Sequence, residues 1–452
     1  MTLHSVRGFE TYGTLYLDAG FDGRTGSTAQ MLSWDFGVPN GEYLRYMAVR
    51  EGVVVGAPGS AGVFRTQYVD LPGALELDCG RSLEQVRIAY EMYGRLSPAK
   101  DNVVLVCHAL SGDAHAAGWS DEPDAPSAVD GFGADERGIK PRGGLGWWDG
   151  MIGPGKAFDT DRYCVVCTNL IGSCRGSTGP SSINPATGKP YGLDFPVITV
   201  ADMVRAEKRA LEVLGIERLL AVGGGSLGGM RALEWTVAYP DSVRSCISIA
   251  STARLASQGV AWNAIARNAI MADPAWQGGY YYGTGRVPTA GIGIARMVGH
   301  VTYLSAESMR EKFDRRLQER DRYSFTLTEP DFAVESYLRY QADNFAHRFD
   351  PNSYLYISRA LTYFDLARDY GHGSLERALA SVSARYLLVS FSSDWLYPPR
   401  DSQDLERALR ANAKRVEHHL IDASYGHDSF LLEEARQAPI IAAFLEEVMN
   451  DD

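Results

Sequence analysis

A single serine sits among glycines where the residue pattern changes abruptly. The apolar run 219–222 meets Gly223-Gly224-Gly225, presents Ser226, and passes into Leu227-Gly228-Gly229-Met230-Arg231-Ala232-Leu233-Glu234-Trp235, which reads as helix. Gly224, Ser226 and Gly228 have the G-x-S-x-G spacing of a nucleophile elbow. The glycines are needed because a strand must turn sharply into a helix, where side chains would strike neighbouring backbone. A serine hydroxyl is a poor nucleophile until a base takes its proton, and that base needs an orienting carboxylate. On this scaffold the chain order is serine, acid, histidine, the last two on loops after late strands. The strand-like run 386–390 leads to Asp394, before a turn containing Pro398 and Pro399, and Val416–Ile421 leads to His427. Asp394 could instead cap a helix and His427 could be a satisfied polar residue, but their order and placement fit the constellation. An oxyanion hole needs two backbone N–H donors. Leu227, after the nucleophile, supplies one, and Leu110, in the loop after the run ending at Cys107, is assigned the other. His108 is read as an anchor of that loop.

Strands and helices alternate around these residues. Strands are expected at Arg87–Tyr93, Val103–Cys107, 162–169, 219–222, 243–250, 385–390 and Val416–Ile421, with helices over 201–214 and 429–448. Short apolar strands separated by helices predict an α/β fold, a mostly parallel sheet with helices on both faces. The interval 251–384 breaks this rhythm and is rich in tyrosine and tryptophan. It is far longer than a crossover needs and is assigned as a helical cap inserted above the carboxyl ends of the strands. The expected division is therefore a core of 63–250 and 385–452, a cap of 251–384, and a Gly-rich, weakly patterned N-terminal extension of 1–62 that is expected to be poorly ordered. Met47, inside that extension, offers a later translation start.

The composition narrows the function classes. A net charge of -12 over 452 residues argues against nucleic acid as the main partner. No apolar run of 18 or more residues is present, so no membrane association is expected, and no secretory signal is evident at the N-terminus. Six cysteines suit a reducing compartment, and the expected location is the cytoplasm. Cys164 and Cys167 form a C-x-x-C inside an apolar strand, which assigns them to packing; no metal site is expected.

The assembled segments resemble the homoserine O-acyltransferases of the α/β-hydrolase superfamily, the MetX-like enzymes of methionine biosynthesis. The resemblance rests on His108-Ala109-Leu110-Ser111-Gly112, Gly146-Trp147-Trp148-Asp149, the stretch from Asn169 through Cys174 and Arg175 to Pro180, and Tyr191-Gly192-Leu193-Asp194-Phe195-Pro196. The elbow with Glu234-Trp235 and the turns at Asp394 and His427 complete it, over a region from about Phe64 to the C-terminus. It implies an α/β-hydrolase fold and acyl transfer from acyl-CoA, acetyl-CoA favoured, to the side-chain hydroxyl of L-homoserine through acyl-Ser226. It also implies that Arg267, in the first cap helix, grips the substrate carboxylate and that Asp428, after the catalytic histidine, binds its ammonium. Both roles suit the chemistry of a guanidinium and a carboxylate. No bound cofactor is implied. An acidic chain repels an anionic cosubstrate such as coenzyme A, so a site for it needs local basic residues.

Leu227 stands where the family usually has methionine, a change that keeps the backbone donor, and the N-terminal extension has no counterpart in the resemblance. Relatives in the family acylate serine or use succinyl-CoA, so serine O-acetyltransferase and homoserine or serine O-succinyltransferase are alternatives. A carboxylesterase-type hydrolase with the same triad is another. The aromatic cap suggests a homodimer surface. If the extension is an appendage, deleting residues 1–46 preserves folding and activity; lost solubility or a large fall in Tm would show that it packs on the domain.

Overall fold

The computed structural model describes residues 48–50, 53–55, 60–120 and 145–451. The remainder of the N-terminal extension lies outside the described residues. Eight strands form the main sheet: β1 (Gln67–Asp70), β2 (Arg87–Tyr93), β3 (Val103–Cys107), β4 (Cys164–Thr168), β5 (Ala221–Gly225), β6 (Ser245–Ile249), β7 (Arg385–Phe391) and β8 (Val416–Ile421). Their order is β8-β7-β6-β5-β3-β4-β2-β1. The run from β8 to β4 is parallel, and β2 lies antiparallel to both β4 and β1.

The apolar runs form strands because both faces of the sheet are covered. Along β3, Val103, Leu105 and Cys107 enter one core cluster while Val104 and Val106 enter the other. The first face packs on helices α1 (Val200–Val213) and α2 (Leu227–Ala238) through Met203, Val204, Met230 and Leu233. The opposite face packs on the terminal helix (Glu434–Asn450) through Ile441, Phe444, Leu445 and Val448. Each of these buried side chains contributes roughly 1.5–3 kcal/mol relative to exposure. Cys164 and Cys167 fall in different clusters, on opposite faces, so the two thiols do not converge. Burial pushes the Cys164 thiol up to about 11.

Two local expectations need correction. β5 runs through the glycines to Gly225 rather than ending at residue 222, because Gly223, Gly224 and Gly225 remain in register with Ile247, Ser248 and Ile249. The expected helix over 429–448 is divided at Glu433, where the Gln437 side-chain amide donates to the carbonyls of Ser429 and Phe430 at 3.4 and 3.2 Å.

Between β6 and β7 the chain forms α3 (Ser257–Ala272), α4 (Thr289–Tyr303), α5 (Ala333–Ala346) and α6 (Pro351–Tyr363) among other short turns. The two ends of this insertion are pinned together. Leu255 N–H donates to the Phe364 carbonyl at 3.2 Å, and Leu366 N–H to that of Ala253 at 3.0 Å. Among the described residues no helix is long and apolar enough to cross a membrane.

Glu234 lies buried in α2, accepting a hydrogen bond from the Tyr370 phenol, and burial raises its carboxyl to about 7. Between the ordinary carboxyl range and about pH 7, the folded chain holds a proton that the unfolded chain has released. Stability therefore falls as pH rises through that window. Urea midpoints at about pH 5 and pH 8 should show this slope, and Glu234→Gln should reduce it; parallel slopes would contradict the assignment.

Candidate active site

Ser226 takes φ 60°, ψ −124° between β5 and α2. This conformation is sparsely populated by non-glycine residues and must be held by its surroundings. The Ser226 N–H donates to the Ile249 carbonyl at 3.0 Å. Its own carbonyl accepts from Ser251 Oγ at 2.8 Å and from the amides of Gly229 and Met230 at 3.0 and 3.2 Å. The flanking glycines are required by the end of β3. A Cβ on Gly224 would lie 2.1 Å from the Cys107 carbonyl oxygen, and one on Gly228 only 2.0 Å from the same atom. Backbone cannot yield to such contacts, so the elbow excludes even alanine there.

Asp394 follows β7 and is 2% exposed, while His427 follows β8 and is 3% exposed. One Asp394 oxygen accepts the amides of Leu396 and Tyr397, each at 3.0 Å, and the other lies 2.8 Å from His427 Nδ1. That contact assigns the Nδ1 proton to the carboxylate side and leaves Nε2 for other chemistry. The rings of Tyr397, Phe430 and Tyr303 enclose the imidazole at centroid distances of 5.1, 5.3 and 6.0 Å. Gly426 permits the loop, with φ 74° and space for no Cβ: that atom would sit 2.5 Å from the Ser305 nitrogen. Tyr397 lines the same cavity as Ser226, and burial raises its phenol so that it stays neutral. Sequence reasoning missed Tyr397; its spacing of three residues from Asp394 was the available signal.

Leu110 occupies a turn closed by the Gly112 N–H donating to the Ala109 carbonyl at 3.1 Å. As an inner residue of that turn, Leu110 keeps its N–H outside the closing hydrogen bond. Leu227, at the first position of α2, likewise has no intrahelical partner for its N–H. Ser226 and Leu110 both line a cavity of about 50 Å3, walled by Trp262, Asn263, Tyr303 and Tyr397.

The oxyanion-loop candidate is tied to α2 by residues with no role in the sequence expectation. Arg231, fully buried, donates to the His108 carbonyl at 3.1 Å and pairs with Glu207 of α1. Glu207 also accepts from Trp235 Nε1 at 2.9 Å and Thr168 Oγ1 at 3.2 Å. Burial and the nearby Arg231 charge lower His108 to about 3, so its ring is neutral. Sequence spacing gives no signal for this pair, whose members lie on separate helices.

The two assigned substrate receptors differ in placement. Asp428 begins the turn after His427; burial raises its carboxyl, opposed by the charges of His427 and Arg296. Arg267 is buried in α3, donating to the Ser358 carbonyl at 3.1 Å and Thr362 Oγ1 at 3.0 Å. It is outside the cavity lining, whereas Asn263, one turn earlier on α3, is in it. Burial and Arg359 lower the Arg267 guanidinium, and it forms no ion pair among the described residues.

Comparison with known proteins places this geometry. The alpha/beta hydrolase fold family matches residues 102–434. A homoserine O-acetyltransferase of Solidesulfovibrio magneticus is 53% identical over 388 residues, covering 86% of this chain and 92% of that protein. The chain belongs to the homoserine O-acetyltransferase family. Another family member, from Methanosalsum zhilinae, is 50% identical over 87% of this chain and 75% of its own length. The crystal structure of homoserine O-acetyltransferase from Bacillus anthracis superposes with a TM-score of 0.73 at 29% identity, over 84% of this chain and 97% of that one. Esterase E22 also superposes at 0.73, with 31% identity, over 84% of this chain and 99% of its own.

The buried Arg231–Glu207 pair gives a direct test of how the loop is held. Arg231→Met leaves Glu207 buried without its cation and should cost about 3–5 kcal/mol in urea unfolding. Arg231→Met/Glu207→Met should cost less than the sum of the single changes. Additive losses would show that the pair is not coupled.

Proposed function

We propose that this chain transfers an acetyl group from acetyl-CoA to the side-chain hydroxyl of L-homoserine, serving methionine biosynthesis. The observation carrying this reading is the 53% identity to a named homoserine O-acetyltransferase along 92% of that protein. In the proposed first step, His427 Nε2 accepts the Ser226 proton as Oγ attacks the thioester carbonyl. The developing oxyanion receives the Leu110 and Leu227 N–H groups. The C–S bond breaks, the sulfur takes the proton from His427, and acetyl remains on Ser226. Homoserine then gives its hydroxyl proton to His427, and its oxygen attacks the ester. Ser226 Oγ leaves and recovers a proton from His427. Asp394 stays ionised throughout, orienting the ring and stabilising its positive form.

Arg267 and Asp428 are proposed to hold the acceptor carboxylate and ammonium. A buried guanidinium with no carboxylate paired to it, as Arg267 is among the described residues, favours an anion. We also place the protein in the cytoplasm, consistent with its six cysteines being free thiols. A homodimer through the cap remains part of the proposal; Phe325, Leu327 and Tyr340 leave apolar surface exposed there.

The likeness to esterase E22 favours one second reading, hydrolysis of the acyl-Ser226 ester by water. A matrix of acetyl-CoA and succinyl-CoA against homoserine, serine and water separates the readings. Acetyl-CoA with homoserine should give the highest kcat/KM; preference for serine, for succinyl-CoA or for water would overturn the acceptor, donor or transfer assignment respectively. Ser226→Ala should lower turnover by about 10⁴ or more while the protein remains folded; near-normal CoA release would remove Ser226 from the reaction.

A further inference from the structure

The loop that offers the Leu110 N–H is held on both sides of its turn at residues 109–112. On the near side Arg231 fixes the His108 carbonyl. On the far side the chain crosses the end of β4, where Cys167 Sγ lies 3.6 Å from the Asp113 carbonyl, and reaches β2. Glu91 and Tyr93, alternate residues of β2, point to the same face of the sheet. The Tyr93 hydroxyl accepts the amides of Ala116 and Ala117 at 2.8 and 3.2 Å. It donates to Glu91 Oε2 at 2.8 Å, a shorter contact than the 3.2 Å to the Ala114 carbonyl. The same Oε2 lies 3.0 Å from His115 Nδ1, and Oε1 accepts from Thr66 Oγ1 at 3.0 Å.

This network lies inside the protein: Tyr93 is fully buried, Glu91 is 1% exposed and His115 6%. Tyr93 belongs to the apolar cluster that includes Val104 and Trp148. A carboxylate beside such a layer is costly unless its oxygens are bonded. Glu91 meets that demand with three donors, and its one ion pair among the described residues is with His115. Burial and the Glu91 charge push the Tyr93 phenol well up, so it keeps the proton it gives to the carboxylate. Facing the same carboxylate, His115 carries a proton at Nδ1. Apolar side chains of similar size would avoid the desolvation cost. What the polar groups add is direction, because Tyr93 can accept two successive amides only when the loop lies across it.

We propose that Glu91 and His115, acting with Tyr93, are positioning residues that hold the Leu110 N–H where the oxyanion develops. The proposal rests on the acyl-transfer reading above and deepens it. The turn at 109–112 is suspended between Arg231 and this network, so release of the far end lets the donor move away. Neither Glu91 nor His115 lines the Ser226 cavity, and both act through the loop. A displaced donor loses its contribution to the transition state while ground-state binding is kept. Both half-reactions develop an oxyanion at the same place, so acylation of Ser226 and transfer from it slow together.

His115→Ala and Glu91→Gln test this with acetyl-CoA and p-nitrophenyl acetate as acyl donors, and with S-trifluoroacetonyl-CoA as a mimic of the tetrahedral state. Ser226 adds to that ketone: the Oγ–C bond forms, the carbonyl π pair becomes the oxyanion, and the serine proton passes to His427. Outright loss of an oxyanion donor costs about 10²–10³ in turnover, so a displaced one should slow acylation by about 10–100-fold. Affinity for the ketone should fall by a similar factor, while Kd for CoA and KM for homoserine change by less than about twofold. His115→Asn, whose amide nitrogen can stand in for Nδ1, should recover most of the loss. Glu91→Gln/His115→Ala should lose little more than the worse single variant. Unchanged ketone affinity, equal weakening of CoA binding, or no recovery in His115→Asn would overturn the proposal. If His115→Ala does not fold, Glu91→Gln and His115→Asn carry the same comparison. Failure of acetyl-CoA to acylate the unaltered protein would count against the acyl-transfer reading alone, because p-nitrophenyl acetate still reports the oxyanion donor.

Discussion

The carbonyl oxygen of Cys107 is the constraint on which the site depends. It ends β3 against β5 and α2, and the space beside it admits no side-chain atom at Gly224 or Gly228. This approach lets the chain reverse from strand to helix within one residue, with Ser226 held at positive φ. It also brings the loop after β3 alongside the start of α2, where Leu110 and Leu227 offer their amides. A Cβ at either glycine would separate the nucleophile from the loop proposed to stabilise its product. The strain at Ser226 is then secured by hydrogen bonds to Ile249 and Ser251 at the end of β6.

Other supports act at a distance from that contact. Arg231 extends from α2 to the His108 carbonyl and is neutralised by Glu207 on α1, joining two helices and the loop in one buried network. On the other side of Ser226, β7 and β8 deliver Asp394 and His427. The two backbone amides on one Asp394 oxygen leave the other free to face His427 Nδ1. The insertion completes this arrangement: Tyr303 at the end of α4 packs beside His427, and Ser305 donates to the Ser424 carbonyl. A sheet with buried, regular strands thus supports irregular loops whose atoms must be placed closely.

Much of this was legible from local pattern. The elbow combines an apolar strand, glycines and a helix, and Asp394 and His427 each follow a run that alternation or β-branching marks as a strand. The fold class follows from the same rhythm. What could not be read locally depends on pairings across the chain. Gly223 to Gly225 look like a loop until the register with β6 places them in β5. Arg231 and Glu207 occupy ordinary helical positions, and nothing in either segment announces that they meet. Arg267 was assigned by resemblance, but the route of its side chain toward Ser358 and Thr362 depends on the packing of α3 against α6.

The central claim is that an acyl group rests covalently on Ser226 before an amino-acid hydroxyl removes it. Intact-protein and peptide mass measurement after brief exposure to acetyl-CoA alone addresses that claim directly. The account predicts one added acetyl group on the peptide containing Ser226, lost on addition of homoserine with formation of O-acetylhomoserine. Persistent absence of labelled peptide, together with a sequential initial-rate pattern in which both substrates must bind first, would contradict it.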